Sequence, residues 1–81
     1  MIKTEDKDVI AMDVLKDIAL NIGGVLAERQ RAIDALTLFR EKALPVLEYI
    51  AKKSTDSSNL KERASIYIKN IKSGIKVHMG V

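Results

Sequence analysis

The sequence contains no cysteine and no tryptophan, and its single histidine, His78, lies close to the C-terminus. Without cysteine the chain forms neither a disulfide framework nor a cysteine-based zinc site. A lone histidine without a neighbouring nucleophile or orienting carboxylate is not a catalytic constellation. Gly23-Gly24 is not followed by Lys-Ser or Lys-Thr, as a phosphate-binding loop would be. These absences predict a protein that is not an enzyme and that holds no metal or cofactor.

Acidic residues that share a helix face are the only further candidate for a metal site. Asp13 and Asp17 are four residues apart and therefore lie on one side of a predicted helix. A hard cation needs more oxygen ligands than two carboxylates, and no loop oxygens or histidine are near them in sequence. We therefore interpret the pair as part of a solvent-exposed face.

Aromatic residues are also scarce. They make up 4% of the 81 residues, whereas hydrophobic residues make up 47%. The core must therefore consist of isoleucine, leucine, valine and alanine, which favours closely packed helices and leaves little surface for stacking bases. A chain of this length forms one domain, near the size at which a single core is only marginally sufficient.

Apolar residues recur three and four positions apart over most of the chain, which indicates helices. We expect one all-α domain over residues 1–81, with helices at about 5–22, 25–53 and 59–76. A polar linker at 54–58 separates the last two, and residues 77–81 form a loose tail. Pro45 lies inside the second helix, where its ring clashes with a preceding carbonyl, and therefore predicts a kink.

The expected helix ends depend on capping residues. Thr4 is expected to cap the first helix, and Ser58 or Asn59 the third. Gly23-Gly24 is expected to end the first helix, because glycine readily adopts the left-handed conformation found there. The alternative is an unbroken helix in which a row of small residues, including Gly23, lets another helix approach closely.

The first helix is apolar over about half its circumference, wider than the stripe of an ordinary surface helix. We therefore expect neighbours on two of its sides, and a three-helix bundle that is completed by homodimerisation. Residues 1–22 carry three basic and five acidic side chains, and residues 59–81 carry five basic and one acidic. This asymmetry favours packing of the last helix beside the first, although the two could also be separate docking surfaces.

Two arginines interrupt the apolar stripe of the second helix. For Arg29 we expect the aliphatic stem to pack while the guanidinium reaches water. For Arg40 the same arrangement, an ion pair with a carboxylate of the first helix such as Asp8, and a contact with a partner's carboxylate are all open.

A second group lies on the other side of the predicted 25–53 helix. Arg31, Leu38, Lys42 and Tyr49 fall within a narrow arc, and arginine and aromatic residues are enriched at protein interfaces. We predict these four as partner contacts, with Arg40 as an anchor. The sequence thus predicts a small cytoplasmic protein that acts by protein–protein binding, as a regulator, inhibitor or adaptor of the kind common among phage and plasmid accessory proteins.

The alternative function is nucleic-acid binding through the basic last helix. Lys61, Lys69, Lys72 and Lys76 share one side of it and could contact phosphates. Anionic lipid could bind the same side, although no segment is long enough to span a bilayer. A solvated lysine face has the same composition, so the pattern alone does not decide.

Overall fold

A computed structural model of the protein describes residues 7–80, with side chains for residues 7–74. It consists of four α-helices and one 3-10 segment: α1 (Lys7–Leu20), α2 (Leu26–Leu36), the 3-10 segment (Thr37–Ala43), α3 (Leu44–Lys53) and α4 (Ser58–Gly80). The described residues contain no strand, which confirms the all-α class. The expected cap at Thr4 lies outside the described residues. Residues 77–80, expected as a loose tail, continue α4.

The turn between α1 and α2 confirms the expected break at Gly23-Gly24. Neither glycine has a positive φ, so the expected left-handed conformation is wrong. Asn21 holds the turn instead: its side-chain Oδ1 accepts from the Gly23 N–H at 3.2 Å, and its carbonyl accepts from the Gly24 N–H at 2.9 Å. A Cβ on Gly24 would lie 3.2 Å from that carbonyl oxygen, so the close approach favours glycine there.

The second predicted helix is interrupted at Arg40, where φ is 54° and ψ is −130°. Pro45 lies in the first turn of α3. A proline is tolerated there because the N–H groups of a first turn have no partner inside the helix. The predicted kink at Pro45 is therefore misplaced, and the break divides the expected helix into α2 and α3.

The helices form two antiparallel hairpins, α1–α2 and α3–α4, that lie side by side. Helices α1 and α3 run in the same direction. Asp8, near the start of α1, pairs with Lys42, just before α3. Lys16, further along α1, lies over the ring of Tyr49 in α3. Helix α4 packs mainly on α3, with further contacts to α2. The expectation that the last helix packs beside the first is therefore wrong.

The core is small and aliphatic. Its buried apolar side chains come from every helix and from the 3-10 segment: Met12, Ala19, Ala32, Ile33, Leu36, Ala43, Leu47, Ile50, Leu60 and Ala64. The molecule measures 41 × 39 × 18 Å. Since a helix with its side chains is about 10 Å across, the short dimension corresponds to two layers of helices.

Arg29 is buried, with 4% of its surface exposed, and joins three segments of the chain. Its Nε donates to the Ala19 carbonyl at 2.8 Å, near the end of α1. Its two terminal nitrogens donate to the carboxylate of Asp56, at 2.8 and 3.4 Å, in the loop before α4. The expectation that Arg29 reaches water is therefore wrong, because a carboxylate and a helix-end carbonyl compensate the buried charge.

A second polar contact links α2 to α4. Arg63 donates from two nitrogens to the carboxylate of Asp34, at 2.8 and 3.2 Å. The Tyr67 hydroxyl donates to the same carboxylate at 2.7 Å. The hydrogen bonds from Arg63 lower the pKa of Asp34, and the hydrogen bond to Asp34 raises the pKa of Tyr67. In the same way, the hydrogen bonds from Arg29 lower the pKa of Asp56.

Replacement of Arg29 by lysine should destabilise the protein by about 2 kcal/mol, because an ammonium cannot reproduce the fork that contacts Ala19 and Asp56 together. Urea unfolding measures the change. Arg31→Lys, two positions along α2 and exposed, is the matched control and should change the unfolding free energy by less than about 0.5 kcal/mol. Equal effects of the two variants would contradict the role of Arg29.

Acid should remove the contributions of Asp34 and Asp56 to the unfolding free energy. Because folding lowers both pKa values, the stabilisation is complete above the ordinary value of 3.8 and is lost as the pH falls through the lower folded values. The wild type should therefore exceed the Asp34→Asn/Asp56→Asn variant in unfolding free energy at neutral pH, and the gap should narrow below pH 3.8. A gap that stays constant into strong acid would show that the carboxylate charges contribute nothing.

Candidate protein-binding surface

Helix α1 is covered on only part of its apolar circumference. Met12 and Ala19 are buried in the core. Ile10, Val14 and Ile18, which are four residues apart and so share one face, are 47%, 53% and 40% exposed. We call these three residues the α1 face. The sequence predicts neighbours on two sides of α1, and within the described chain this face has none that covers it.

A groove between α1 and α2 adjoins the α1 face. It encloses about 310 Å³, and its walls are Leu15 and Ile18 from α1 with Glu28, Arg31 and Ala32 from α2. The aliphatic walls suit an apolar side chain, and the two charged residues can orient a polar group beside it. The α1 face and the groove together form the candidate surface.

Charges of both signs border this surface. Asp13 and Asp17 are exposed, and by helix geometry they lie on the side of α1 opposite Leu15, which lines the groove to α2. Asp13 lies 3.6 Å from Lys16. Arg31 and Glu28 are exposed on the opposite edge, along α2. No ion pair involving Asp17, Glu28 or Arg31 is found among the described residues. Their charges are therefore available to a partner.

The four contact residues predicted to share one arc of a continuous helix, Arg31, Leu38, Lys42 and Tyr49, do not lie together. Arg31 borders the groove, whereas Lys42 forms an ion pair with Asp8 at 2.9 Å on another side of α1. The ring of Tyr49 lies under the ammonium groups of Lys16 and Lys53, at 5.4 and 5.7 Å. Lys42 and Tyr49 thus connect the 3-10 segment and α3 to α1.

The remaining two predicted contacts, Leu38 and Arg40, lie in the 3-10 segment. Leu38 is 80% exposed, the highest value among the exposed large apolar residues of the described chain. Arg40 is exposed, and Asp8 pairs with Lys42 rather than with it. Leu38 and Arg40 therefore lie close together along an exposed segment, separate from the α1 face.

The predicted lysine face is only partly available. Lys61 and Lys69 are exposed, but Lys72 lies 3.3 Å from the carboxylate of Glu48 on α3. The side chain of Lys76 lies outside the described residues. The charge that could contact phosphates is therefore reduced along the described part of α4.

Searches for a metal site and for a membrane span give no candidate in the part of the chain that the structure describes. No three histidine or acidic side chains there come together as metal ligands would. No described helix combines the length and the apolar character that crossing a membrane requires.

Comparison of the chain with protein families, with curated proteins and with solved structures finds no match. The α1 face was missed as a site at the level of sequence, although the unusually wide apolar arc of the first helix was its signal.

The backbone conformation of Arg40 predicts that glycine at this position stabilises the protein. A non-glycine residue with φ of 54° and ψ of −130° is strained, and glycine relieves that strain. Arg40→Gly should therefore raise the unfolding free energy by about 1 kcal/mol. Glu48→Gly, at an exposed helical position in α3, is the control and should lower it by about 1 kcal/mol or more, since it also removes the ion pair with Lys72. A loss of stability in Arg40→Gly, measured by thermal unfolding, would contradict the strained geometry.

Proposed function

We propose that the protein acts by binding another protein, as a regulator, inhibitor or adaptor, and that the α1 face is its contact surface. The observation that carries the proposal is the exposure of Ile10, Val14 and Ile18 on one face. Isolated apolar residues on a surface are ordinary, but a contiguous apolar face bordered by charges is typical of an interaction site.

The adjoining groove supports the same proposal. An apolar side chain of a partner can enter between Leu15 and Ala32, and Arg31 at the rim can pair with a carboxylate. The five contacts predicted from the sequence remain a prediction. Arg31 is the one among them that lines this groove.

Binding of nucleic acid is the alternative proposal, and the described geometry supports it less. The ion pair between Lys72 and Glu48 uses one of the four predicted lysines. The composition offers few aromatic side chains for stacking on bases. A cytoplasmic location and the absence of catalysis also belong to the proposal, and the lack of cysteine is compatible with a reducing compartment.

An aspartate at position 14 should abolish partner binding without unfolding the protein. Val14 is 53% exposed, so its replacement removes little from the core. Affinity capture from a lysate, followed by identification and titration of the captured protein, compares Val14→Asp with the wild type. Ile66→Asp is the matched control, because Ile66 is 50% exposed on α4, and this variant should still capture the partner.

Two results would contradict the proposal. The first is equal capture by Val14→Asp and the wild type, with both folded by circular dichroism. The second is binding to a DNA duplex that weakens steeply with added salt and is lost in Lys61→Glu/Lys69→Glu, since that would identify the lysines as the functional surface.

A further inference from the structure

We propose that the α1 face is covered by a second copy of this chain, in a twofold-symmetric dimer whose axis runs along α1. The inference rests on the proposed use of the α1 face as a protein-contact surface, and it names a second copy of this chain, in place of a different protein, as what binds there. Its arguments are the length of the apolar face, the positions of charges on its two edges, and the layered shape of the molecule.

The length of the α1 face matches that of another α1. Residues 10–18 extend over about 12 Å of helix, and the exposed Ile22 continues the apolar surface into the turn after α1. A twofold axis along α1 keeps the direction of the helix, so Ile10, Val14 and Ile18 each lie opposite their own copies. Every residue of the face is then covered. An antiparallel copy would cover the same residues but would place charges of the same sign opposite each other.

The charges on the two edges determine this choice of axis. A twofold rotation about an axis along α1 exchanges left and right, so the edge with Asp17 lies against the partner's edge with Arg31. An axis perpendicular to α1 brings the two acidic edges together, and like charges repel. The charge pattern therefore selects the parallel arrangement.

Asp17 and Arg31 also lie at the same level along α1. The bond from Arg29 Nε to the Ala19 carbonyl places position 29 beside position 19. Because α1 and α2 are antiparallel, Arg31, two residues later in α2, lies beside position 17. The dimer therefore contains two symmetric pairs between Asp17 and Arg31. Glu28 lies one turn away on the same edge, where it opposes this pairing.

The layered shape is consistent with this dimer. A single chain is 18 Å across its shortest dimension, and the α1 face is exposed on it. Addition of a second copy places the partner's α1 over the α1 face and its α2 edge over Asp17. An interface of this kind is isologous, because the same patch is used on both chains.

Charge reversal tests the arrangement. Asp17→Arg alone faces Arg31 of its copy, and Arg31→Glu alone faces Asp17, so each variant repels itself. A mixture of the two variants has opposite charges in both pairs. We expect the wild type to be dimeric by sedimentation equilibrium at low salt, each variant to dimerise at least about tenfold more weakly, and the mixture to regain the dimer as a heterodimer.

Two controls accompany the mixing experiment. Lys61→Glu, on the exposed side of α4, should leave the dimer unchanged. Glu28→Gln should tighten it, because the opposing charge is removed. Asp17 and Arg31 are both exposed, so circular dichroism should show each variant folded.

The outcomes separate this inference from the proposed function. A wild type that stays monomeric at submillimolar concentration, or a mixture no more dimeric than its components, overturns the twofold dimer. If Val14→Asp nevertheless loses a captured protein, the proposed function stands with another partner. If the wild type is monomeric and Val14→Asp captures the same protein as the wild type, the twofold dimer and the proposed function are both wrong.

Discussion

The guanidinium of Arg29 connects parts of the chain that are far apart in sequence. Its Nε satisfies the carbonyl of Ala19, near the end of α1, where the last carbonyls of a helix have no partner of their own. Its other nitrogens hold Asp56, so the loop that begins α4 stays beside the first turn of α2. With the start of α4 held beside the start of α2, Arg63 of α4 reaches Asp34 of α2. The two helices therefore run in the same direction. One buried charge and its partners thus join the two hairpins, in addition to the apolar core that both hairpins build.

This arrangement also explains why no other described helix covers part of α1. Helix α4 packs on α3 and α2, so it lies away from the side of α1 that carries Ile10, Val14 and Ile18. Contacts with the 3-10 segment and α3, through Lys42 and Tyr49, occupy a different side. No other helix of the described residues covers that side, and we propose that a partner does. The packing of the α3–α4 hairpin therefore determines which side of α1 stays exposed, and this links the fold to the proposed function.

The periodicity of apolar residues was sufficient to predict the helical class, while the paired glycines predicted the break at Gly23-Gly24 and the polar composition predicted the linker before the last helix. It could not predict that Arg29 is buried, because its carboxylate partner, Asp56, lies 27 residues away and no local pattern connects them. The break at Arg40 was also beyond the sequence, since arginine carries no preference for a positive φ. Pro45 is compatible with a kink and equally with the first turn of a new helix, and the structure shows the second.

The candidate site was predictable only in part. The wide apolar arc of the first helix was visible in the sequence, and periodicity showed which residues are apolar. It did not show which of them the rest of the chain covers, because that depends on where α4 packs. The predicted contacts Arg31, Leu38, Lys42 and Tyr49 assumed one helix from 25 to 53, so the break at Arg40 separated them.

Isotope-filtered nuclear Overhauser spectroscopy on a mixture of labelled and unlabelled chains tests the central claim most directly. It detects only contacts between different copies. The account predicts intermolecular contacts from the methyl groups of Ile10, Val14 and Ile18 to the same residues of the other copy. A sample at high concentration with no intermolecular contacts, or with contacts only at Leu38 or Ile66, would contradict the role of the α1 face as the surface that a second chain covers.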